Sequence, residues 1–222
     1  MTTTKSPDSL LPERAQSAGE EIANSVSHGL GLLGALAAAP ILLVHALRHF
    51  TGACLAGVSV FAATMILVYS ASTLYHALPR GRTKEVFRVI EHDAIYLFIA
   101  GTYTPFTLGV MRGPWGWTIF GLAWAFAAVG VTMETIGGFN RPIFSTVLYV
   151  AMGWIMIIAL RPFWVTMSHP GFLLLLSGGV AYTSGVALFA ADTRLRYGHF
   201  IWHLFVLAGS AIHFFAVLWY AG

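Results

Sequence analysis

The 222-residue chain is 57% hydrophobic and only 9% charged, with a mean hydropathy of +0.75. A soluble domain carries about 25% charged residues, so this composition excludes an ordinary globular protein and points to a bilayer. The net charge of +3 comes from basic residues in short loops, where they set orientation and do not indicate nucleic-acid binding. A single cysteine, Cys54, excludes an internal disulfide.

Residues 1–19 are polar, with charges of both signs and no apolar stretch ending in a small-residue cleavage site. They are expected to form a disordered cytoplasmic tail ahead of a membrane domain over residues 20–222. Seven apolar runs then follow, each near the roughly 20 residues needed to cross the hydrocarbon core. The first is about Ile22 to Leu47, with a kink expected at Pro40. Next come about Ala53 to Leu78, Phe87 to Val110 and Trp115 to Ile136. The last three are about Pro142 to Leu160, Gly171 to Ala191 and His199 to Tyr220. No strand-like alternation or long repeat competes with them, so the expected fold is an all-α bundle of seven transmembrane helices.

Lys5, Arg14, Arg80, Arg82, Lys84, Arg88, Arg141, Arg194 and Arg196 fall on one side of such a bundle; Arg48, Arg112 and Arg161 fall on the other. That bias places the N-terminus in the cytoplasm and the C-terminus outside. Trp115, Trp117, Trp164, Trp202, Trp219 and Tyr220 gather near run ends as interfacial anchors. Gly178, Gly179, Ser184 and Gly185 suit close helix packing. His45, Arg48 and His49 read as interface residues at the outer end of the first helix.

With this topology the remaining polar residues converge. His199 and His203 lie four apart on one face at the start of the last helix, and such a pair can bind one metal ion. His76 ends the second helix at the same depth, with Ser72 one turn before it. His92 and Asp93 lie early in the third helix, and Glu21, Asn24 and His28 share a face at the start of the first. Imidazole and carboxylate groups within membrane helices are costly and usually face each other or a functional site. His213 is deeper by about 15 Å of helix rise and reads as a packed, hydrogen-bonded residue. Three neutral imidazoles suit zinc, although iron or copper share that ligand chemistry; Cys54 lies at the far end. Asp93 is expected to orient a water or a ligand histidine, or else to pair with Arg88. Ser72 either bonds the carbonyl four residues earlier or positions a substrate oxygen.

Ser72-x-x-x-His76, Asp93 and His199-x-x-x-His203 together resemble the pattern of the progestin and adipoQ receptor superfamily, which includes the alkaline ceramidases. The bacterial hemolysin III branch looks closer still. Its flavour shows in Glu20-Glu21-Ile22-Ala23-Asn24 through His28, in Ala100-Gly101-Thr102-Tyr103-Thr104-Pro105-Phe106, in Tyr149-Val150-Ala151-Met152-Gly153-Trp154 and in Gly178-Gly179-Val180-Ala181-Tyr182-Thr183-x-Gly185. The resemblance runs from about residue 20 to the C-terminus. It implies a seven-helix protein of the bacterial inner membrane, with zinc ligated by His76, His199 and His203. In ceramidase-like relatives the matching aspartate and serine, here Asp93 and Ser72, assist hydrolysis of a lipid amide. The expected function is therefore a zinc-dependent hydrolase of a lipid amide or ester, with membrane lipids as partners. The alternatives are a non-enzymatic regulator or sensor of membrane state with structural zinc, and a cytolysin. The last is disfavoured because a uniformly apolar bundle has no water-soluble form to export. Substrate and oligomeric state are not legible.

Overall fold

A computed structural model describes residues 16–137, 142–190 and 195–222. Most of the expected tail, and the loop residues Arg141 and Arg194, lie outside the described residues. The described chain is all-helical: α1 (Ala18–His49), α2 (Gly52–Ala77), α3 (Arg82–Leu108), α4 (Pro114–Gly137), α5 (Pro142–Gly153), α6 (Leu160–Thr166), α7 (His169–Ala190) and α8 (Gly198–Tyr220). A 3-10 stretch, Ile155–Ala159, joins α5 to α6. Six units are long and apolar enough to cross a membrane, with Phe144–Thr166 counted as one.

The expected third span differs. The run is helical from Phe87 to Leu108, within α3, and turns at Gly109 and Val110, yet α3 is not among the six. Its sequence carries Glu91, His92, Asp93 and several threonines, and the fold places it between α2 and α4. One stripe of α3 faces α2. Phe98 stacks on Phe61 with ring centroids 5.9 Å apart, while Gly101 abuts Thr64 and the Pro105 backbone abuts Gly57. A neighbouring stripe faces α4, where the Tyr96 ring lies against Gly130. Glu91, Thr104 and Thr107 of α3 are thus enclosed by protein, the usual solution for polar groups at membrane depth.

The expected fifth helix is also interrupted. α5 ends at Gly153 and the chain tightens to 3-10 over Ile155–Ala159 before α6. Backbone groups freed by that break need partners away from water. Tyr103 supplies them: its hydroxyl donates to Gly153 O at 2.6 Å and accepts from Met156 N at 3.4 Å. By contrast, α1 continues through Pro40 as one helix.

Four helices are tied together at the end of the bundle where α1 begins. Ser17 and Glu20 form a capping box on α1, and Glu20 Oε1 also accepts from Tyr197 N at 2.9 Å. Tyr197, immediately before α8, has φ 60°, a left-handed conformation uncommon outside glycine. Lys84 Nζ donates to Tyr75 O (2.9 Å) and Leu78 O (3.2 Å), capping the last turn of α2 from the start of α3. Three residues past His28, a Cβ on Gly31 would lie 2.7 Å from Leu207 Cδ2 and 2.8 Å from Tyr69 Cδ1. A side chain there would push α1 away from α2 and α8. At the opposite end, Ala221 O accepts from Val110 N at 2.8 Å and from Cys54 Sγ at 3.4 Å.

Of the small residues expected to pack α7, Gly178 abuts the His213 ring and Gly185 abuts Phe205 and Trp202. Gly179 has no neighbour within 4 Å of a Cβ, and Ser184 bonds Val180 O. On α1, Ile22, Val26, Leu30 and Leu33 point outward, each more than half exposed, as expected of a lipid-facing stripe.

Candidate metal centre

Helix geometry brings His199 and His203 to one face of α8, and the tie between Glu20 and Tyr197 sets the depth at which α8 starts. Their rings are 4.6 Å apart. His76, from the last turn of α2, approaches both, with ring centroids 5.0 Å from His199 and 5.1 Å from His203. One ligand atom from each of the three lies within 4.8 Å of the other two. His76 is 4% exposed and His203 fully buried. Trp202, expected at the membrane interface, packs on His199 with centroids 4.9 Å apart.

The hydrogen bonds assign the tautomers. Ser27 has one hydroxyl proton and gives it to Asn24 O at 2.9 Å. It must therefore accept from His203 Nδ1, 3.1 Å away. Glu21 Oε2 lies 2.8 Å from His76 Nδ1, so that nitrogen carries the proton too. Both rings then turn Nε2, which in the neutral Nδ1–H tautomer carries the lone pair, toward the cluster, where each is buried without a hydrogen-bond partner. Held Nδ1–H donors and open Nε2 lone pairs are the arrangement that metal-ligating histidines use.

Glu91 completes the group. It is 4% exposed, its Oε1 is 3.7 Å from His76 Nε2, and it forms a second possible metal group with His28 and His203. His28 stacks on His203 at 3.5 Å with planes 9° apart. Among the described residues no Lys or Arg pairs with this enclosure of imidazoles and a carboxylate, and a metal cation would supply the positive partner. The residues present therefore fit a metal ion.

Of the other expected site residues, Glu21 enters as the partner of His76, bridging at 3.0 Å to Lys84 Nζ. His28 enters directly. Asn24 contributes its carbonyl to Ser27, while its side chain accepts no part in the cluster and instead donates to Gln16 Oε1 at 2.6 Å. Ser72 Oγ bonds His28 Nδ1 at 2.7 Å, a ring-positioning contact. Asp93 stands apart from the cluster. Two residues beyond Glu91, it is turned about 200° around the helix and accepts from Thr135 Oγ1 of α4 at 3.2 Å. Arg88, its other expected partner, pairs with Glu85 at 3.1 Å. The acid beside the histidines is Glu91, which sequence reasoning passed over. Its spacing of seven from Phe98 put it on the α2-facing stripe, and that signal was available. His213, expected to be packed, has Nε2 3.0 Å from Leu175 O.

Comparison with known proteins adds the kinship. The sequence profile of the family described as haemolysin-III related matches residues 16–214. The chain is 42% identical over 203 residues to a protein named hemolysin-3 from Bacillus cereus, covering 90% of this chain and 91% of that one. It is 39% identical over 201 residues to a hemolysin-3 homolog from Bacillus subtilis (strain 168), covering 90% and 94%. The human monocyte to macrophage differentiation factor is 27% identical over 162 residues, covering 68% and 64%. No solved structure matches.

Protein purified in detergent without chelators is expected to hold about one metal ion per chain by elemental analysis, and His203→Ala to lose it. Glu21→Gln, which weakens the hold on His76, should lower metal affinity about 10- to 100-fold in chelator competition. Asp93→Asn should leave affinity unchanged; a loss equal to that of Glu21→Gln would contradict its placement against α4.

Proposed function

The chain belongs to the haemolysin III-related family, and from that premise we propose that it is a multi-pass membrane hydrolase using zinc to cleave a lipid amide or ester. The observation that carries this reading is the buried acceptor set formed by His76, His203 and Glu91, with His199 alongside. His76, His199 and His203 would hold the ion. Three imidazoles with a carboxylate nearby suit zinc, and Cys54, at the opposite end beside Ala221, leaves no thiolate for the site. When bound, zinc supplies Lewis acidity, polarising a carbonyl and lowering the pKa of water to about 7.

The chain's own residues do the rest. Glu91 is placed to accept a proton from water entering the cluster. Glu21 and Ser27 hold the Nδ1 protons of His76 and His203, which fixes ring orientation. Ser72 fixes His28, and His28 braces the flat face of His203. In this reading the part in hydrolysis expected of Asp93 falls to Glu91, and Ser72 acts on an imidazole instead of a substrate oxygen. The bilayer would deliver the substrate laterally.

Seven crossings with the N-terminus in the cytoplasm belong to the same proposal, and would set the cluster at the inner leaflet of the bacterial inner membrane. Arg80, in the turn between α2 and α3, and Arg82 and Lys84, in the first turn of α3, all at the site's end of the bundle, support that side. A cysteine introduced at Arg82 should resist impermeant thiol reagents in intact cells, whereas one at Gly222 should react; the reverse labelling would invert the orientation.

One observation favours a second reading. His76 belongs to α2 and the other two histidines to α8, so a metal there would also clamp the bundle, as a non-enzymatic regulator would require. Glu91→Gln separates the two. It keeps shape and hydrogen bonding but cannot take up a proton, and general base catalysis is worth about 10²- to 10⁴-fold. Lipid profiles of cells with Glu91→Gln should match those with His203→Ala, an uncleaved lipid accumulating in both, while Glu91→Gln retains metal. A Glu91→Gln profile like wild type, with His203→Ala altered, would leave only the clamp.

A further inference from the structure

Between the first turns of α1 and the last turn of α2 lies a cavity of about 620 Å³, with His76 in its wall. That volume falls within the roughly 300–1,000 Å³ of sites that take small ligands. Its lining has two characters. Ile22 and Val26 are 63% and 56% exposed, and the same face of α1 continues as Leu30 (64%) and Leu33 (65%). The spacing of four, four and three makes one straight apolar track that leads from the cavity along the outside of the bundle.

The polar part is cationic at its rim. Glu21 and Lys84 both line the cavity and offset each other through their 3.0 Å ion pair. Arg80 also lines it and is exposed, leaving one positive charge in excess. A soluble phosphate compound would match Arg80 but leave the track uncovered. A neutral lipid would cover the track and leave Arg80 unmatched. An amphiphile with an anionic head and an acyl chain matches both.

We propose that this cavity is the headgroup site of an anionic phospholipid, with its phosphate at Arg80 and one acyl chain along Ile22, Val26, Leu30 and Leu33. His76, the member of the histidine cluster that also lines this cavity, joins the headgroup site to the metal centre. The inference rests on the hydrolase reading for its consequence, since it names the substrate class of that site.

The test uses the full chain in detergent, offered equal amounts of phosphatidylglycerol and phosphatidylcholine with identical chains. Retained lipid is counted by native mass spectrometry, and metal content and Tm are measured on the same samples. Wild type is expected to prefer phosphatidylglycerol, and Arg80→Gln to reduce that preference roughly fivefold, the effect of one basic residue near a charged lipid surface. Val26→Trp, which fills the cavity from a lipid-facing position, should reduce retention of both lipids. Metal content and Tm should hold in both variants. No preference in wild type, or a preference unchanged in both variants, overturns the site. Selective binding that depends on Arg80, with the bound lipid never cleaved, upholds the site and removes the hydrolase. Glu91-dependent cleavage of some lipid by a protein without the Arg80-dependent preference does the opposite.

Discussion

Nitrogen lone pairs of His76 and His203 and the carboxylate of Glu91 face one another at a depth where water does not compensate them. A buried polar atom left without a partner costs about 1–3 kcal/mol, and a charged one more. A cation between them turns that cost into attraction, and among the described residues no donor side chain is hydrogen-bonded to the Nε2 atoms of His76 and His203. The constraint also explains the outer ring of contacts. Had the Nδ1 atoms of His76 and His203 not been held by Glu21 and Ser27, either ring could present an N–H instead, and the acceptor set would dissolve.

The rest of the bundle serves that enclosure. Glu20 fixes where α8 begins through Tyr197, and thereby how deep His199 and His203 sit. Lys84 joins the last turn of α2 to the start of α3 and grips Glu21, so one side chain coordinates the helices that carry Glu21, His76 and Glu91. Gly31 permits the approach of α1 to α2 and α8 just beyond the stacked His28–His203 pair. At the far end, the carbonyl of Ala221 draws α2, the chain after α3 and the end of α8 together. Four helices are thus tied at the end where the polar groups gather, and three of them, α2, α3 and α8, again at the other.

Much of this was legible in the sequence because membrane helices are simple in two respects. Their lengths are set by the bilayer, so six of seven apolar runs correspond to units able to span it. Depth follows from alternating direction, so His28, His76, His199 and His203 could be brought to one level before any geometry was known. Rotation about a helix axis is the harder quantity. Glu91 and Asp93 share the same depth but differ by about 200° in facing, and only the packing stripe through Phe98, Gly101 and Pro105 shows which one meets α2. The third run, α3, is less apolar than the six others because its polar Glu91 and Asp93 find partners on α2 and α4. The break after Gly153 was hidden because its remedy, the hydroxyl of Tyr103, is 50 residues away in sequence.

X-ray absorption at the metal edge of the protein, purified in detergent without chelators, tests the central claim most directly. A zinc ion at this site gives nitrogen or oxygen scatterers at about 2.0–2.1 Å with outer-shell features of about three imidazoles, and no sulfur at about 2.3 Å. Loss of one imidazole contribution on His76→Ala would follow from the same geometry. A protein that carries no metal, or one whose metal signal is unchanged when His76, His199 and His203 are all replaced by alanine, would contradict the account.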